Sequence, residues 1–132
     1  MRLYVTALLA LLIVAAFAST ARAASTTSSC SNYGFEDKST LAVHQLGHAL
    51  DFWQVESYRT AEAWALRSWQ TMRATAPCRS TYRRFRQYEL NGSAAIWNAV
   101  KAERRGDSGQ VIKLLGQAQR WGDLAAAEEA TW

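Results

Sequence analysis

Ser93-Ala94-Ala95-Ile96-Trp97-Asn98-Ala99-Val100-Lys101-Ala102-Glu103-Arg104-Arg105-Gly106-Asp107-Ser108 reads as a helix, its stop and the cap of the next helix. Ile96, Trp97 and Val100 fall on one side of a helical period. Gly106 supplies the backbone freedom that ends a helix, and Asp107 and Ser108 are residue types that cap the following one. Downstream, Leu114, Leu115, Ala118 and Trp121 form a second apolar stripe over Gly109–Trp121, and Gly122-Asp123 repeats the break-and-cap chemistry.

Outward from this segment the same character persists. There is one proline, Pro77, and Ala, Leu, Gln, Arg and Glu dominate, all good helix formers. An irregular start is expected over Ala24–Tyr33. Helices are expected over about Lys38–Gln54, after the acidic pair Glu36-Asp37, and over about Tyr58–Ala76, stopped by Pro77. A third over about Ser80–Leu90 ends at Asn91-Gly92, a C-cap signal, and a fourth covers about Ser93–Arg105. With Gly109–Trp121 and a short last helix, the expected fold is all-α, a small bundle of about five to six helices. The paired Gly-Asp breaks give a faint helical-hairpin rhythm, too short for a repeat array.

The N-terminus reads as a leader. Arg2 precedes the uncharged, apolar run Leu3–Ala18, and Ala21-Arg22-Ala23 fits small-x-small cleavage. The run is short for a membrane span, which needs about 20 residues. The expected organisation is therefore a signal peptide over 1–23 and a single helical domain over 24–132. No integral membrane segment is expected after cleavage, and the location is periplasmic or extracellular. Apolar residues make up 49 % of the chain, an ordinary globular share, so disorder is not expected.

Cysteine usage fits that compartment. Cys30 and Cys78 are the only two cysteines, and an even pair in an oxidising environment reads first as a disulfide. Closing so long a loop stabilises by roughly 4 kcal/mol in the chain-entropy model. All six tryptophans lie between Trp53 and Trp132; they are expected to pack the hairpins, with Trp132 the most exposed.

Charge is patchy. The formal net of +4 includes Arg2 and Arg22, which leave with the leader. From Arg79 to Arg105 there are seven basic and two acidic residues, a basic patch within a nearly balanced chain. Its core is Arg79-Ser80-Thr81-Tyr82-Arg83-Arg84-Phe85-Arg86-Gln87-Tyr88. Helical spacing turns Tyr82 and Phe85 inward, and Arg79, Arg83, Arg84 and Arg86 are the expected partner-binding side chains. An acidic protein partner or an anionic envelope surface suits such a face. Export argues against nucleic acid. Arg105-Gly106-Asp107-Ser108 matches a cell-adhesion tetrapeptide, but Gly and Asp have ordinary capping reasons to stand at a helix break.

The most specific chemical signal is Ser39-Thr40-Leu41-Ala42-Val43-His44-Gln45-Leu46-Gly47-His48-Ala49-Leu50-Asp51-Phe52. It holds the chain's only two histidines, four apart, so both imidazoles leave one face of a helix. Asp51 follows on nearly that face, as a third ligand or as a partner orienting His48. The segment resembles the active-site helix of the zincin metallopeptidases, the HExxH motif, through His44, Leu46, Gly47, His48, Ala49 and Leu50. That resemblance implies Zn2+ on His44 and His48. Gln45 stands where the family has its general-base Glu, and an amide cannot take a proton from water. About fifteen residues lie between the expected cut and this helix, too few for the strand-rich half zincins place there.

A second resemblance, to exported lysozyme inhibitors of the LprI type, rests on the order Trp69, Arg73, Cys78. It is compatible with an inhibitory role. The further cysteines of that family and its Gln ahead of the Trp are missing.

No complete catalytic set emerges, so no catalytic residue is assigned; an enzyme built on this chain would be a divergent metal-dependent hydrolase. The expected function is that of an exported helical binding protein, without a cofactor, that inhibits or accompanies an envelope or secreted partner. The alternative is a zinc-binding, zincin-like protein with a degenerate site.

Overall fold

Gly34 adopts a left-handed conformation, φ 68°, and the chain turns there into α1, Phe35–Gln54. Glu36 and Asp37 lie in the first turn, where carboxylates oppose the partial positive charge of unpaired N–H groups. The computed structural model describes residues 29–132. Three further helices follow: α2, Tyr58–Arg73; α3, Ser80–Arg104; and α4, Ser108–Glu129. No strand occurs among the described residues, so the fold is all-α, a four-helix bundle. The expected leader, 1–23, lies outside the described residues.

The helix count corrects the sequence expectation. Asn91-Gly92 does not end a helix: α3 runs through it. Gly92 is buried, and a Cβ there would lie 3.5 Å from the Cβ of Trp121 on α4. It packs against α4 at ordinary contact distance, and the burial of Glu89, Ser93 and Ile96 on either side carries the helix across it. Gly122-Asp123 does not end a helix either. Gln119 donates to Asp123 within one turn, and Ala125 beyond it is buried in the core. The second helix stops at Arg73, short of Ala76, as the chain straightens ahead of Pro77.

Two hairpins, α1–α2 and α3–α4, share one turn design. At the first, Ser57 N–H donates to Phe52 C=O and Glu56 N–H to Trp53 C=O, both at 2.9 Å. At the second, Asp107 N–H donates to Ala102 C=O at 3.0 Å and Gly106 N–H to Glu103 C=O at 2.9 Å. This is the Schellman pattern, which needs a left-handed residue at its pivot. Gly106 takes φ 74° freely, whereas Glu56 holds φ 59° with a side chain. Asp107 then caps α4, its Oδ1 accepting from Gln110 N–H at 3.1 Å. Glycine and aspartate of the adhesion-like tetrapeptide are thus used by the turn.

Packing follows chain order, and neighbouring helices run antiparallel. Ala42 and Ala49 of α1 meet Ala61, Ala65 and Ser68 of α2, all fully buried. The small side chains bring the backbones close enough for Ser68 Oγ to donate to Ala42 C=O at 2.7 Å. Ile96 and Val100 of α3 complete this middle layer. Near the end of the hairpins opposite their turns, Phe35, Met72, Tyr82 and Phe85 form an aromatic-rich layer. A buried Phe of this kind contributes roughly 2 to 3 kcal/mol.

Trp132 departs from its expected exposure. It lies edge-on to Tyr82 and Phe85, with ring centroids 4.9 Å away in both cases, and to Phe35 at 5.9 Å. It thereby closes the aromatic layer.

Cys30 and Cys78 are disulfide-bonded. Asn32 Oδ1 accepts from the N–H groups of both Cys78 and Arg79, at 2.8 and 2.9 Å. The chain ahead of α1 is thus fixed to the α2–α3 link by one covalent bond and a side-chain fork. Among the described residues no helix is long and apolar enough to cross a membrane.

Candidate binding trough

The zincin-like segment occupies the middle and end of α1, and its residues divide by role. Gln45 turns toward α2, where its Oε1 accepts from Thr71 Oγ1 at 2.7 Å. Gln45 is therefore an interhelical fastener. His44 and Asp51 are exposed. His48 is exposed as well, with its ring 4.8 Å from that of Trp64, which also carries the Arg67 guanidinium on a face. Among the described residues no three His, Cys, Asp or Glu side chains come together as metal ligands. The donor set is two solvent-facing imidazoles, and a zinc site needs at least three protein ligands. These residues do not fit the metal that the resemblance implies.

The arginine face is also largely spoken for. Arg86 reaches across to α2, where Nε donates to Met72 C=O at 3.1 Å and Nη2 to Arg73 C=O at 3.0 Å. It adds a partner to carbonyls at the end of α2, where Met72 C=O also accepts from Thr75 N–H and Oγ1. Burial, then the like charge of Arg73, lowers its pKa. Arg84 pairs with Glu128 of α4. Arg79 lies over the Tyr82 ring at 5.0 Å. Arg83 is the only one of the four whose side chain has no hydrogen bond or ion pair among the described residues. Of the four, Arg84 and Arg86 thus bridge to neighbouring helices, whereas the Arg79 contact with Tyr82 is local to the start of α3.

An open feature lies elsewhere. Among the described residues α1 and α4 make no close backbone approach, although both pack on α3. Between them runs a trough. One part, of about 480 Å³, is floored by Glu89, Gly92 and Ile96 of α3 and walled by Leu46 and Leu50 of α1 and Gln119 and Asp123 of α4. The other, of about 450 Å³, opens toward the hairpin turns beside Trp53, Glu56, Tyr58 and Glu103. Leu50 and Leu115 line both parts, making them continuous. These two leucines remain 39 % and 38 % exposed.

The trough is apolar in its middle and acidic toward each end. Its lining includes Glu56, Glu103, Glu89 and Asp123 and no Lys, Arg or His, in a chain whose formal net charge is +4. Glu89 is the unusual member. It is 8 % exposed, and its Oε2 is buried with no hydrogen-bond partner among the described residues. Burial, reinforced by the negative charge of Glu129, pushes its carboxyl from an ordinary 4.5 up to about 7. At the other mouth the phenol of Tyr58 is also pushed up, first by burial and then by Glu56 and Glu103.

Sequence reading missed this site because its walls come from helices far apart in the chain. The only local sign was Leu115 on an apolar stripe, which reads equally well as core. No protein-family model, curated protein or solved structure matches the chain.

Proposed function

We propose that this chain is an exported binding protein that holds a partner in the trough between α1 and α4, and inhibits or accompanies that partner in the envelope or outside the cell. The observation that carries this reading is the trough itself: partly exposed Leu50 and Leu115 flank a floor that holds the buried Glu89. Apolar grooves with a few polar groups are the usual form of a binding site. The Cys30–Cys78 disulfide suits an oxidising compartment.

Site-specific photocrosslinking tests the reading. A photoreactive residue at Leu115 lies inside the trough; one at Ile112, 73 % exposed and outside the trough lining, is the control. In cells secreting the protein, position 115 is expected to give a discrete crosslinked product that position 112 does not. Equal crosslinking at both positions, or none at 115, removes the trough as the binding surface.

A further inference from the structure

We infer that the occupant of the trough is a partner's amphipathic helix, with an apolar stripe of about two turns flanked by Lys or Arg, one of which reaches Glu89. The inference rests on the binding reading above and adds the chemistry of the partner.

Three observations carry it. The first is shape. The trough runs between two helices that make no close backbone approach to each other among the described residues, along a third that forms its floor. From Leu115 to Asp123, α4 lies beside it for about 12 Å, the length of roughly two helical turns. The turn-side mouth extends it further. An elongated apolar stripe fits such a channel better than a compact ligand does, and leucines at i, i+3, i+4 and i+7 are how a helix presents one.

The second is charge. Acidic side chains stand toward both ends, Glu56 and Glu103 at one and Glu89 and Asp123 at the other, with apolar Leu46, Leu50 and Leu115 between. A partner with basic residues beyond both ends of its stripe matches that order, and one with acidic residues there is repelled.

The third is Glu89 itself. It lines the trough, and its buried Oε2 has no hydrogen-bond partner among the described residues, a cost that a donor reaching the carboxyl removes. Gly122, in the same lining, has nothing within 4 Å of where a Cβ would stand. A side chain there projects into open space, so the site can be filled without disturbing the bundle.

Two synthetic helical peptides serve as probes. Both carry leucines at i, i+3, i+4 and i+7; one is flanked by lysines, the other by glutamates. Binding is followed through the fluorescence of Trp53, which lines the trough, and by calorimetry. The lysine peptide is expected to bind at least about tenfold more tightly, with affinity falling as salt rises. Gly122→Leu is expected to weaken it at least about tenfold while leaving the melting temperature unchanged or higher. Glu89→Gln is expected to weaken the lysine peptide and not the glutamate one.

Equal binding of the two peptides, or binding of neither, overturns the inference. So does a Kd unmoved by Gly122→Leu. A dimer in sedimentation that Gly122→Leu dissolves makes a second copy of this chain the occupant and overturns it too. Equally tight binding of a simple alkylamine shows that an amine suffices without a helix. In each case selective crosslinking at position 115 leaves the broader binding reading standing, and its absence removes both.

Discussion

The hydroxyl of Thr71 donates to the side-chain carbonyl of Gln45 at 2.7 Å, joining α2 to α1 at the position where a zincin helix has its catalytic glutamate. A half-buried bond of this kind contributes about 1 kcal/mol. Thr71→Val is expected to lower stability by about that amount in chemical denaturation. A double-mutant cycle with Gln45→Ala should give a coupling of about 0.5 to 1.5 kcal/mol. A coupling near zero shows that the contact does not hold the helices together.

The same relationship bears on metal. His44 and His48 face solvent on α1, and among the described residues no third donor joins them, so added Zn2+ is expected to leave the melting temperature unchanged, with or without His44→Ala. Gln45→Glu is expected to restore no metal-dependent peptidase activity. Near-stoichiometric zinc in tag-free protein, lost on His44→Ala, contradicts both expectations.

Glu89 ties stability to pH. Its carboxyl titrates near 7 when folded and near 4.5 when free, so the folded state keeps a proton that the unfolded chain releases. Stability from this group therefore falls as pH rises from about 4.5 to 7 and is level above that, a loss of about 3 kcal/mol. Glu89→Gln should flatten this interval in melting curves recorded at pH 5 and pH 8. An unchanged slope in the variant assigns the pH dependence to other groups.

Glu56 and Gly106 occupy equivalent pivots, and only one is glycine. Glu56→Gly is expected to raise stability by about 1 kcal/mol by relieving the left-handed strain, and Gly106→Ala to lower it by about the same. Opposite signs in thermal unfolding support the equivalence of the two turns; destabilisation by both substitutions refutes it.

Trp132→Ala is expected to cost about 3 kcal/mol, near the lower end for aromatic truncations because the side chain is only partly buried. Near-UV circular dichroism should weaken with it. A change within about 0.5 kcal/mol, the range of ordinary surface substitutions, shows that the aromatic layer is complete without it.

The all-helical class and the first hairpin were legible because their signals are local. Gln54 and Tyr58 bound the first break as expected, and Gly106-Asp107 makes the second. The chemically identical Gly122-Asp123 continues a helix, because Ala125 beyond it is buried in the core and the chain gains by reaching it. Asn91-Gly92 likewise stays helical because its flanks are buried on both sides. Such outcomes depend on what lies across the interface, which no window of sequence contains. The trough and the orphaned oxygen of Glu89 belong to the same class of fact. So does the pairing of Arg84 and Arg86 with neighbouring helices, which the spacing of the arginines alone does not contain.

Because each helix rests mainly on its neighbours in the chain, most contacts close short loops, and folding should be fast for a domain of this size. The single crosslink encloses α1 and α2 and leaves α3–α4 outside its loop. A newly made chain can therefore assemble the second hairpin while its thiols are still reduced, and oxidation then locks the first.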